Sequence, residues 1–108
     1  MAENIDKNLA RKSAIDFINK LRSEKIKIVT AYIFGSLVKG NFTEWSDIDI
    51  AIVSESLSGD IFDDRVFLMK LRKDIDLRIE PHPFLPEEWE DETNPFVNEI
   101  KKYGEKII

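Results

Sequence analysis

The segment Ile48-Asp49-Ile50-Ala51-Ile52-Val53 is apolar at every position but one. A run this short and this continuous reads as a β-strand buried on both faces, so the rest of the chain must supply a covering layer on each side. From 6 to 22, Leu9, Ala14, Phe17, Ile18 and Leu21 recur at three- and four-residue spacings, while Lys7, Arg11, Lys12 and Lys20 take most of the other face, which predicts a helix. The β-branched and aromatic stretch 26–34 predicts a strand that stops at Gly35, and Gly35 and Gly40 bracket a short turn or helix. A polar loop at 54–59 leads to a second predicted helix over 60–73, and 75–79 reads as a third strand. Pro81, Pro83 and Pro86 make the following stretch extended and stiff. Asn94-Pro95 marks the start of a last helix and Gly104 its end, with Glu105 to Ile108 offering a short edge strand. The fold class expected is α/β (α+β): one domain, 1–108, built as a small mixed β-sheet flanked by helices.

Composition narrows the chemistry. With 108 residues and 43% hydrophobic content the chain can bury roughly two-thirds of its unfolded surface. No cysteine is present, which removes disulfides, Cys-zinc sites and thiol nucleophiles together, and a single histidine argues against a His-based metal site or a Ser-His-Asp triad. A net charge of −5 disfavours direct nucleic-acid binding, which rests on neutralising phosphates. No leader-like apolar core stands at the amino end and no apolar run nears the ~20 residues that span a bilayer, so no membrane association and a cytoplasmic location are expected. Any catalysis must come from carboxylates, hydroxyls or a hard metal ion.

Three features carry that chemistry. Gly35-Ser36 falls where a strand gives way to a turn, where a residue without Cβ lets the backbone approach a ligand and backbone N–H groups with a hydroxyl favour an anion. Alone it is compatible with a bare turn. Asp47 and Asp49 stand two apart on the strand and project from one face, a like-charged pair that a cation between them would relieve. Such oxygen ligands suit magnesium or manganese. The competing reading has Asp47 capping the chain and Asp49 solvated, but Asp49 is flanked by Ile48, Ile50, Ala51 and Ile52, a costly setting for an unpaired carboxylate. Asp76 shares a predicted strand face with Arg78 and Glu80, either as a third carboxylate or as part of an ordinary solvated face in which Arg78 pairs with a neighbour.

Read together, Gly35-Ser36, ten residues, then Asp47-x-Asp49 form G-S-x10-D-x-D. This resembles the signature of the DNA polymerase β–like nucleotidyltransferase superfamily, and the compact length resembles its minimal, MntA-like group. The likeness runs from Ile26 through about Phe84, with Lys39 standing where the family often has Arg, which keeps the charge but loses the bidentate fork. The resemblance implies that Gly35 and Ser36 hold the β- and γ-phosphates of a nucleoside triphosphate. It implies that Asp47, Asp49 and Asp76 are the catalytic and metal-binding carboxylates for two Mg2+ ions (or Mn2+), with Asp76 preferred to Glu80. The implied reaction moves a nucleoside monophosphate, AMP from ATP, to a hydroxyl. It further implies an antitoxin that modifies a HEPN-type partner protein, with the acceptor surface borrowed from that partner or from a second copy of the chain. The rival expectations are a non-catalytic module that silences its partner by covering it, and transfer to a small-molecule hydroxyl.

Other conspicuous residues receive structural readings. His82, between two prolines, is read as a loop residue with a satisfied ring, Arg78 as a structural partner of a carboxylate, and Trp45 and Trp89 as packing residues. Tyr32, Ile33 and Phe34 are assigned to the core. The acidic run 87–92 is read as a solvated helix start, with a basic partner as the alternative.

Overall fold

A computed structural model describes residues 7–108. The elements are α1 (Lys7–Ser23), β1 (Thr30–Phe34), α2 (Ser36–Lys39), β2 (Ile48–Val53), α3 (Ile61–Leu71), β3 (Ile79–Phe84), α4 (Pro86–Trp89), α5 (Pro95–Tyr103) and β4 (Glu105–Lys106). The helix expected from position 6 thus starts at Lys7, and position 6 lies outside the described residues. The four strands form one mixed sheet in the order β3-β2-β1-β4. β1 is antiparallel to both β2 and β4, and β2 is parallel to β3.

β2 is central, and the double burial demanded by its sequence is met in full. Ile48, Ile50 and Ile52 face a layer made by Ala14, Phe17, Ile18 and Leu21 of α1 and Leu68 of α3, joined by Ala31 and Ile33 of β1. Ala51 and Val53 face the other way, into Phe84, Trp89, Val97 and Ile100. Asp49 is the one β2 residue that is not buried. Trp89 packs as expected; Trp45 does not, for it is 87% exposed on the loop before β2.

Two strands differ from their sequence reading. β1 begins at Thr30 and not at 26, because the chain leaves α1 through a left-handed Lys25 (φ 65). Ile26 then turns back with its N–H on Leu21 O, and Lys27 N–H donates to Ser56 Oγ, so these residues join elements instead of pairing. The third strand is displaced further: it runs over 79–84, not 75–79, and contains Pro81 and Pro83. Arg78 O and Phe84 O accept bonds from Ile48 N and Ser54 N, so the even-numbered positions of this stretch turn their backbone groups toward β2. Positions 81 and 83 then face the free edge, where a residue without N–H forfeits no ladder bond.

The loop between β2 and α3 is fastened by Asp64, a carboxylate only 6% exposed. Its Oδ1 accepts from Ser58 N (2.9 Å) and Ser58 Oγ (2.8 Å), and its Oδ2 accepts from Gly59 N (3.0 Å). Asp60 caps the helix by accepting from Asp63 N. Together they fix the first turn of α3 and the direction of the next side chain, Arg65. An amide at position 64 cannot accept on both sides, so Asp64→Asn is expected to cost about 1–3 kcal/mol in urea unfolding, the penalty of a buried donor left without its partner.

Candidate active site

The ends of three strands and the start of one helix meet on the side of the sheet that carries Asp49. Phe34, the last residue of β1, is the cross-strand partner of Asp49, so the chain entering Gly35 passes directly over that carboxylate. Gly35 has φ 80 and ψ −148, and a Cβ built on it would lie 2.4 Å from Asp49 Oδ2. Position 35 is therefore closed to any side chain twice over, by backbone conformation and by lack of room. The two halves of the sequence signature meet at Gly35 and Asp49, brought together by one antiparallel pair.

In the parallel pairing of β2 with β3, Asp49 stands opposite Glu80 and Ala51 opposite His82. Glu80, not Asp76, is thus the carboxylate beside Asp49 on the same face of the sheet. Arg65 reaches round the open edge of β3 from α3 and pairs with Glu80. His82 Nε2 lies 3.1 Å from Asp49 Oδ1, and its ring meets Phe34 edge-on at 4.8 Å. Phe96, at the start of α5, completes the cluster with Phe34 (5.6 Å) and His82 (6.0 Å). Asp47 precedes the strand and is exposed.

The placement of Asp76 on a strand is corrected by this geometry. It lies in the turn ahead of β3, its backbone carbonyl accepting from Ile79 N. Its side chain is spent on Arg78: Oδ1 accepts from Arg78 N (2.9 Å) and Nε (3.1 Å), and Oδ2 from an Arg78 terminal nitrogen (2.8 Å). The side-chain bonds of the Arg78 guanidinium hold the Asp76 carboxyl below the usual carboxylate range, with the Arg78 backbone N–H and Ser13 adding to this against an upward push from burial. The pairing of Arg78 read from the sequence is present; a strand face shared by Asp76, Arg78 and Glu80 is not. His82 is likewise a strand residue facing Asp49, not a loop residue. The signal that locates both Glu80 and His82 is the alternation Glu80-Pro81-His82-Pro83, in which polar residues take one face and prolines the other.

The donor set is chemically suited to a hard cation. Asp49 and Glu80 are neighbouring oxygen groups on paired strands, Asp47 stands at the leading end of β2, and the backbone of the bare Gly35 approaches closely to Asp49 Oδ2. As the side chains stand, no three acidic or imidazole groups among the described residues converge into a ready cluster. Glu80 is turned toward Arg65 and Asp49 toward His82, which keeps the adjacent carboxylates from facing each other uncompensated.

The family model described as polymerase beta, nucleotidyltransferase matches residues 16–108. A crystal structure from Sulfolobus solfataricus, described as that of a candidate nucleotidyltransferase, superposes with a TM-score of 0.55 at 21% identity, over 89% of this chain and 75% of its own. No curated protein matches the chain significantly by sequence.

Two outcomes test the site's construction. Gly35→Ala should destabilise the fold by about 1–2 kcal/mol from the left-handed backbone alone, and a crystal structure of the variant should show the Asp49 carboxylate displaced. Asp76→Asn should cost about 1 kcal/mol at neutral pH. Because the folded-state pKa of Asp76 is depressed, that contribution is full above the ordinary value of 3.8 and fades as pH falls through the lower folded value. Urea titrations of the wild type and the Asp76→Asn variant should therefore stay apart down to the ordinary carboxylate value and converge only at pH values below it.

Proposed function

The chain belongs to the polymerase β nucleotidyltransferase family, and on that premise we propose that it transfers a nucleoside monophosphate, AMP from ATP, to a hydroxyl on a partner protein of HEPN type and so acts as an antitoxin. The observation that carries the catalytic part is the close approach of Gly35 to Asp49 Oδ2, which sets the Gly-Ser turn directly beside the Asp-x-Asp strand. Ser36 donates its hydroxyl to the terminal phosphates, and Gly35 admits them by having no side chain. Asp47, Asp49 and Glu80 would hold magnesium, which would supply charge to offset the departing pyrophosphate and to lower the pKa of the attacking hydroxyl. Glu80 takes the role that the resemblance assigns to Asp76, because it is the carboxylate paired with Asp49. Within hydrogen-bond reach of the acceptor it can take the hydroxyl proton. His82 Nε2 holds Asp49 Oδ1 in place, and the rings of Phe34 and Phe96 exclude water from its flank.

Chemistry of this type is largely positioning and electrostatics, within reach of a domain with no cysteine and one histidine. The protein acceptor rests on the resemblance to the minimal, MntA-like group.

Label transfer from α-³²P-ATP with magnesium into a host lysate tests the proposal. A labelled protein band should appear with the wild type and vanish with Asp47→Asn/Asp49→Asn and with Glu80→Gln, whereas Asp76→Asn should keep transfer within about threefold, as a loss of structure alone would. Neutralisation of the partner by the paired-Asp variant would instead make the protein a silent cover. Label on a small molecule only would move the acceptor out of the protein class.

A further inference from the structure

A cavity of about 310 Å³ opens beside the site, lined among others by Arg65, His82, Phe84, Glu88, Asp91 and Phe96. Two of its lining side chains are already placed: Arg65, paired with Glu80, and His82, bonded to Asp49. The wall formed by Phe96 divides it from a smaller cleft on the opposite side that is lined by Phe34, Gly35 and Lys39. This division has a chemical meaning if the proposed reaction holds, on which the inference rests. In phosphoryl transfer the attacking and leaving oxygens lie roughly in line. With the pyrophosphate leaving toward Gly35 and Ser36 and the reacting phosphorus over Asp49, the hydroxyl must arrive from the side of Glu80 and His82, where this cavity lies.

The cavity also says what kind of group arrives. Its volume is at the lower limit of small-ligand pockets, a size that accommodates a side chain. The lining presents the rings of Phe84, Phe96 and His82 beside the Arg65 guanidinium, a setting for a neutral hydroxyl-bearing side chain and not for a cationic one. The mouth carries the opposite charge. Glu88 and Asp91 stand on it, and Glu87, Glu90 and Glu92 are exposed alongside, with no cation among the described residues in an ion pair with them. Glu88 uses one oxygen on Leu85 N (2.7 Å) and Asp91 one on Thr93 N (2.9 Å), which fixes both carboxylates while leaving each a second oxygen. The Thr93 hydroxyl also holds the Asp91 carboxyl below the usual range, so it stays ionised at neutral pH.

We propose that this cavity is the acceptor subsite and that it takes a hydroxyl-bearing side chain from a polypeptide segment whose flanking residues are basic, lying along the acidic 87–92 strip.

The test uses two fluorescein-labelled peptides carrying one serine and one tyrosine, identical except that the flanking residues are lysine and arginine in one and glutamate in the other. Anisotropy is read in the presence of magnesium and a non-hydrolysable ATP analogue, and label transfer with ATP. The basic peptide should bind and accept label, with affinity falling as salt rises, while the acidic peptide does neither. Glu88→Gln/Asp91→Asn keeps the oxygen that each backbone bond needs and removes only the charge, so it should weaken the basic peptide about tenfold or more. Equal binding of the two peptides, or an affinity that the double variant leaves unchanged, would overturn the proposal. Binding of the ATP analogue to the wild type with neither peptide bound would overturn it while leaving the proposed reaction intact. Failure to bind the nucleotide would remove the reaction and the acceptor subsite together.

Discussion

A methyl group at position 35 would sit inside the van der Waals surface of the Asp49 carboxylate, and most of the site follows from that closeness. The approach is possible because β1 ends opposite Asp49, so the chain must leave the sheet there and has only the left-handed turn of Gly35 with which to do so. The helix that follows is a single turn, Ser36–Lys39, anchored by the buried Leu37. Shifting the β1–β2 register by one residue would put Asp49 into the hydrophobic layer under α1 and bring Ile48 or Ile50 to the turn. The six-residue apolar run that demands two covering layers thus also fixes which carboxylate meets the turn.

The charges around Asp49 are arranged so that no carboxylate on the sheet faces another without a compensating group. His82 approaches Asp49, Arg65 approaches Glu80, and Arg78 closes on Asp76 at the turn below. These partners come from different parts of the chain, and the one supplied by a helix, Arg65, depends on α3 being correctly started. Asp64 provides that start by gathering Ser58 and Gly59 onto one buried carboxylate. A polar loop far from the sheet face therefore bears on the charge state of the site through a single turn of helix.

Much of this is legible in the sequence, and the places where it is not have identifiable causes. β2 is readable to the residue because continuous burial leaves no other element of that length. α3 and α5 announce themselves through Asp60 and Asn94 as caps. The third strand is obscured because Pro81 and Pro83 read as breakers, and the rule that excludes proline from strands lapses at an edge, a property of sheet order that no local pattern reveals. Misplacing that strand by four residues moves the third carboxylate from Glu80 to Asp76 and leaves His82 in a loop. Trp45, 87% exposed, breaks the expectation that a large aromatic packs, and nothing in the described contacts explains its position.

The two prolines have an effect beyond their own strand. A sheet edge ordinarily offers a row of donors and acceptors that a second chain can zip onto, the first step of edgewise polymerisation. Along β3 that row has no donors at 81 and 83, and the outward carbonyl of Ile79 is already taken by Arg72 at 2.6 Å. The opposite edge is only the two residues of β4, with the Glu105 side chain drawn to Arg11. Neither border of the sheet can be copied onto by another strand, so this domain meets other molecules through side chains and helices and is guarded against fibre-like growth at the border that carries its chemistry.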